Sequence, residues 1–165
     1  MADACIHIKG AREQIEKTAA IIRRNLDRNP QNRDWAGLQF ENRLLQLKIR
    51  SQDSTELIAP EFLESLLLQG RKLNENYPGD RAMAVNLCEL LLLAQQLSTA
   101  TGKADPGYLD EAQALLNSST LVNADQTRAL PLTARLQTAM GLADEHNHAL
   151  QKLQSAGYQG VHLWD

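Results

Sequence analysis

ADQTRALPLTARLQTAMGLADEHNHALQKLQSAGYQ, residues Ala124–Gln159, carries two runs of helical periodicity on either side of a glycine. In the first run Ala129, Leu132, Leu136, Ala139 and Met140 recur at steps of three and four, which places them on one face of a helix. Small residues such as Ala134 and Ala139 admit a close neighbour. Met140-Gly141 stops the run, because glycine takes the left-handed backbone conformation that costs other residues a Cβ clash. In the second run Ala149, Leu150 and Leu153 form the apolar face. Gly157-Tyr158 fits a second stop, with Tyr158 folded back over the last turn. The stretch therefore predicts a helical hairpin. Pro131 stands either in the first turn of a late-starting helix or inside one that begins near Asp125.

Working outward, the upstream chain repeats the theme with longer helices. A first helix is predicted over Ile8–Arg28, where Ile8, Ala11, Ile15, Ala19, Ile22 and Leu26 form one stripe. Glu13 and Lys17 make an i,i+4 pair in the favourable order, and Asn29-Pro30 ends the helix. A second helix covers Asn32–Arg50. Trp35, Leu38, Leu45 and Ile49 lie on one side of it and Phe40, Leu44 and Leu47 on another, so contact from two directions is expected. A third begins with Pro60 in its first turn and continues to Asn76. Phe62, Leu63, Leu66, Leu67, Leu73 and Tyr77 are its core candidates. Gly70 marks a place for a close helix crossing, at a cost of ~1 kcal/mol relative to Ala.

Tyr77-Pro78-Gly79-Asp80 reads as a turn whose Asp80 caps a fourth helix, Arg81–Ser98. Its segment LCELLLLA is apolar on nearly every side, which predicts burial on nearly every side and the centre of the fold. Pro106 starts a short fifth helix that ends near Asn117, and helices six and seven are the opening hairpin.

Composition agrees with helix. Aromatic residues are 4% of the 165, Val is scarce, and Leu, Ala, Gln and Glu are prominent, a balance that disfavours a sheet-built fold. The length suits a single domain with a substantial core. No run reaches the ~18 apolar residues that a membrane span needs, so no membrane insertion is expected. MADACIHIKGAREQ lacks the apolar core of a signal peptide. Cys5 and Cys88 set no framework. Cys88, in the most apolar helix, reads as a buried small hydrophobe, and a Cys5–Cys88 disulfide stays an open alternative. The expected location is the cytoplasm, with the periplasm left open.

The net charge of −3 is unevenly spread, with ten Lys/Arg against six Asp/Glu in residues 1–50 and seven against fourteen in residues 51–165. Ordinary solvated helix faces account for such a pattern. The sharper reading is a basic end suited to an acidic partner or to head-to-tail contact. Nucleic acid is not expected, because Glu13, Glu16 and Asp27 interrupt the basic residues and no aromatic platform accompanies them.

The closing hairpin resembles a tetratricopeptide repeat, with a Leu and small residues in its first helix, a Gly at the turn, and Ala and Leu on its second helix. His146 departs from that pattern, falling where the repeat usually carries a small Ala. Tyr108-Leu-Asp-Glu-Ala112 looks like the start of another second helix, with Ala112 in the small position. Such hairpins stack because one alone cannot bury both faces. Asn29-Pro30, Tyr77-Pro78 and Asn123 each precede a helix, at spacings of 48 and 45 residues. Both exceed the ~34 of the standard repeat.

The resemblance implies an all-α, irregular right-handed solenoid of about seven antiparallel helices, tetratricopeptide-like. LDRNPQNRDW, at Leu26–Trp35, looks like the junctions of long bacterial repeat proteins. ALQKLQSAGYQ resembles the C-terminal repeat tail of bacterial serine/threonine kinases that carry such repeats. The kinase's catalytic motifs are absent here, so its activity is not implied.

No Gly-rich phosphate loop, Ser-His-Asp arrangement or CxxC spacing occurs. Glu61 and Glu64 on the third helix and Glu89 on the fourth have no reason to converge. His146 and His148, two apart on a helix, point to opposite sides, whereas Asp144 and His148, four apart, share a face. No catalytic residue, metal or cofactor is therefore expected, and the chain reads as a non-catalytic scaffold for a partner protein or peptide. In stacked hairpins the first helix of each pair lines the concave surface. That nominates Arg43, Gln46 and Arg50, then Asn86 and Gln96, then Arg128 and Arg135, whose basic groups suit an acidic tail or a peptide carboxylate.

The alternative is a sensory domain that holds a small ligand between helices, with Cys88 and Asn86 on its wall. In the repeat register the first helix is the second half of a repeat whose first half is missing. Its stripe becomes two-sided once Ile21 is included. The expectation is a piece of a longer protein, or self-association through this helix, unless the tail Val161-His-Leu-Trp164 or a shifted helix covers it.

Overall fold

The structure, a computed structural model, describes residues 2–52, 58–102, 105, 107–118 and 126–141. Among them lie six helices and no strand. These are α1 (Ala2–Arg28), α2 (Arg33–Gln52), α3 (Pro60–Asn76), α4 (Arg81–Ala100), α5 (Gly107–Leu116) and α6 (Gln126–Ala139). The fold class is all-α. The second helix of the closing hairpin, with His146, His148 and Tyr158, lies outside the described residues, as does the 161–164 tail.

Local chemistry sets the helix ends. The Asp80 carboxylate accepts from the Ala82 and Met83 amides at 3.0 and 3.2 Å, capping α4 as its sequence requires. Asn32 does the same for α2, its Oδ1 accepting from the Trp35 amide at 2.9 Å. Gly141 takes φ 74°, and the Met140 amide reaches back to the Leu136 carbonyl, so α6 stops at the predicted glycine. α6 runs through Pro131 rather than starting at it. The ring nitrogen there carries no hydrogen, so the helix proceeds without that one bond. α1 starts at Ala2, ahead of the apolar stripe that marks its packed face.

The chain divides into two compact units, Met1–Asn76 and Tyr77–Asp165. In the first, α2 packs on both α1 and α3, the two-directional contact expected from its side chains. Phe40, Leu44 and Leu47 of α2 are buried, together with Ile22 of α1 and Leu66, Leu67, Gly70 and Leu73 of α3. Trp35 and Ile49 are half-buried, but Leu38 and Leu45 remain 44% and 42% exposed.

In the second unit α4, α5 and α6 each touch the other two. Every residue from Met83 to Ala94 except Glu89 is buried, which makes α4 the centre of this unit. Ala112 of α5 and Ala134 of α6 are wholly buried where helices meet it. Cys88 is a free, buried thiol rather than half of a disulfide. No helix among the described residues is long and apolar enough to cross a membrane.

Leu91 of α4 is fully buried, whereas Leu68 of α3 is 69% exposed. Leu91→Ala should lower the unfolding free energy by about 2–5 kcal/mol through lost burial and the cavity left behind. Leu68→Ala should stay within about 0.5 kcal/mol of the parent. Equilibrium urea unfolding measures both, and equal effects would contradict the assignment of α4 as the core.

Candidate functional site

The polar residues of α2 have a period of their own. Gln39, Asn42, Arg43, Gln46 and Arg50 follow at steps of three and four, so they form one stripe on the helix. α1 offers Arg12, Glu16, Ala19 and Arg23 at the same kind of spacing. Between the two helices these stripes border two adjoining clefts. The larger, of about 230 Å³, is lined by Arg12, Ile15, Glu16, Gln46, Ile49 and Arg50. The smaller, of about 180 Å³, is lined by Ala19, Ile22, Arg23, Gln39, Asn42, Arg43 and Gln46. Gln46 belongs to both, so they form one groove with α1 on one side and α2 on the other.

Hydrogen bonds hold this stripe in place. The Asn42 amide donates to the Ile15 carbonyl of α1 at 3.1 Å, and its own oxygen accepts from Gln46 Nε2 at 3.1 Å. Asn42 is 6% exposed. Its bonds are thus what makes a buried amide tolerable. On the α3 side the Arg43 guanidinium donates to Gln69 Oε1 at 2.6 Å and to Ser65 Oγ at 3.0 Å. Gln69 in turn donates to Gln39 Oε1 at 3.0 Å.

Arg43 and Arg50 both sit against the ring of Phe62, with centroid distances of 5.2 and 5.1 Å. Burial lowers the Arg43 pKa from its ordinary value, since desolvation disfavours the charged form. It remains a cation at neutral pH. The groove thus presents four guanidiniums and one carboxylate, and its lining holds no hydroxyl, thiol, imidazole or amine nucleophile.

Of the residues nominated from sequence, Arg43, Gln46 and Arg50 come together in this groove. The others do not join them in one described site. Asn86 is 6% exposed within α4 and faces the interior of its unit rather than a partner. Gln96 is exposed on α4. Arg135 lies 3.9 Å from Glu89, both about one-fifth exposed. Arg128 belongs to α6, and its side chain lies outside the described residues. The wall imagined for a small ligand, with Asn86 and Cys88, is packed core.

Sequence reasoning passed over Arg12, Arg23, Gln39, Asn42 and Gln69. The polar period on α2 was the available signal for two of them. Glu13 and Lys17 do form their ion pair at 2.7 Å, with both side chains about two-thirds exposed, where it adds little. Ile21 is 55% exposed on α1. Among the described residues no three His, Cys, Asp or Glu side chains gather to hold a metal.

Burial raises the Cys88 pKa from 9.0 to about 12, mainly because a thiolate there would lose its hydration. The folded state therefore keeps a proton that the unfolded chain gives up. Stability from this group is complete below about pH 9 and is lost as pH rises toward 12. In a Cys5→Ser background, unfolding free energy should fall between pH 9 and 11 by up to about 1.4 kcal/mol per pH unit more than in the matching Cys88→Ala protein. Parallel curves would contradict the burial account.

A scan against protein-family models, a search of curated proteins and a search of solved structures each return no match.

Proposed function

We propose that this chain is a non-catalytic interaction module that holds a partner protein or peptide in the groove between α1 and α2. The observation that carries the reading is the continuous polar stripe of Gln39, Asn42, Arg43, Gln46 and Arg50, flanked by helices on both sides and fixed by hydrogen bonds to each. A solvated helix face has no need of such fixing.

The tetratricopeptide-like solenoid belongs to the same proposal. Its support is the packing within each unit, where α2 meets helices on two flanks and α4, α5 and α6 close on one another. Helix pairs of this kind are the unit that stacks in such repeats. In that register α2 is the inner helix of its pair, the one from which such scaffolds present binding residues. Cytoplasmic signalling is the setting that fits the reading, with the chain as a scaffold. Self-association through α1 rests on the exposure of Ile21 and is the lesser reading.

Blocking the groove tests the proposal. Gln46→Trp fills the junction of the two clefts, and Glu16→Trp narrows the larger one from its exposed rim. Glu75→Trp, on an exposed position of α3 away from the cleft lining, is the control. With the full chain as bait in native capture and mass spectrometry, proteins retained by the parent and by Glu75→Trp should be lost from both groove variants. Circular dichroism and melting establish that the baits are folded. Equal capture by all four baits would refute the groove as the binding surface.

A further inference from the structure

We infer that the smaller cleft, bounded by Arg23, Gln39 and Arg43, is the receptor for a side-chain carboxylate on an acidic segment of the partner. The inference rests on the reading that a partner lies in the α1/α2 groove, and it specifies what that partner must carry. Its first support is charge. The cleft lining holds two guanidiniums, three amides and two apolar side chains, without a carboxylate. Neither Arg23 nor Arg43 forms an ion pair among the described residues. An exposed Arg23 in that condition is ordinary. Arg43 is different, being half-buried, and its two hydrogen bonds go to neutral oxygens of Gln69 and Ser65. A partly desolvated charge without a counter-charge is costly, and an arriving anion offsets that cost.

Hydrogen-bond direction is the second support. Arg43 donates to Gln69 and Gln69 donates to Gln39, so the oxygens of both amides are occupied. The Gln39 Nε2 group has no acceptor among the described residues and ends the chain as a donor. On the α1 side, Asn42 and Gln46 spend their contacts on Ile15 and on each other. The free valences in the cleft are therefore mostly N–H groups: the Gln39 Nε2 group, the Arg23 guanidinium, and the Arg43 N–H groups not already given to Gln69 and Ser65.

Shape is the third support. Ala19 and Ile22 supply an apolar patch beside the donors. The methylene stem of a glutamate packs on such a patch, whereas a phosphate has nothing to place there. The cleft's volume, about 180 Å³, is enough for one side-chain end. The neighbouring cleft has Arg12 and Arg50 but also Glu16, which repels an acid and makes it the poorer receptor.

The test uses the full chain and a hexaglutamate peptide blocked at both ends, followed by isothermal titration calorimetry. Blocked hexaglutamine and inorganic phosphate are the comparison probes. Hexaglutamate should bind and the other two should not compete with it. Arg23→Gln should weaken that binding about tenfold, the loss of one charge-assisted contact. Arg43→Lys, which keeps the charge but not the fork, should weaken it to a similar degree. Arg24→Gln removes the same charge one residue away, outside the cleft lining, and should change affinity less than about twofold. Equal weakening by Arg23→Gln and Arg24→Gln would mean diffuse attraction and overturn the inference. So would no hexaglutamate binding, or phosphate competing as well as the peptide. Capture that depends on the groove without this carboxylate selectivity leaves the interaction module standing and removes only the receptor. Selective hexaglutamate binding with groove-independent capture fails the module instead.

Discussion

α2 is held from both flanks, and its buried polar groups have to be satisfied there. Asn42 is the tightest constraint. An amide that is only 6% exposed needs its partners, and they are the Ile15 carbonyl of α1 and Gln46 one turn along. Leaving such a group unpaired costs about 1–3 kcal/mol, so sliding α1 along α2 is penalised at this point in a way that interchangeable Leu contacts would not penalise it. Arg43 performs the equivalent task toward α3 through Gln69 and Ser65. The same stripe therefore fixes the helix register and supplies the groove with its charged and amide groups.

The second unit solves its packing differently. α4 buries almost its whole circumference between Met83 and Ala94, and small residues at Ala112 and Ala134 let α5 and α6 come near. Apolar area is the main source of stability there. Among the described residues its polar contacts include the Asp80 cap and the Glu89–Arg135 pair. The contrast explains why residues nominated on α2 gathered into a site while Asn86 did not. α2 leaves a polar stripe between two helices, whereas Asn86 lies within a stretch that is enclosed by core.

Much of the helical framework was legible in the sequence. Both ends of α3, the Asp80 cap and the stop at Gly141 follow from local rules that act over one turn. Helical periodicity also showed that α2 would be gripped from two sides. It did not reveal that Leu38 and Leu45 would stay exposed, because periodicity gives direction around a helix and not how far a neighbour reaches. Arg12 and Arg23 entered the site only through the way α1 lies against α2, a tertiary fact with no local signature. Gln69 joined it by a hydrogen bond across 26 residues of chain to Arg43. For the stretch read first, the structure covers the helix through Ala139 and its Gly141 turn.

The central claim is that the α1/α2 groove faces the partner. Amide hydrogen exchange read by mass spectrometry, on the full chain alone and with its captured partner, addresses it residue range by residue range. A partner in the groove should slow exchange in peptides spanning 12–23 and 39–50 and leave the described helices of the second unit unchanged. Protection confined to residues 81–141, with 12–50 exchanging as in the free chain, would contradict it.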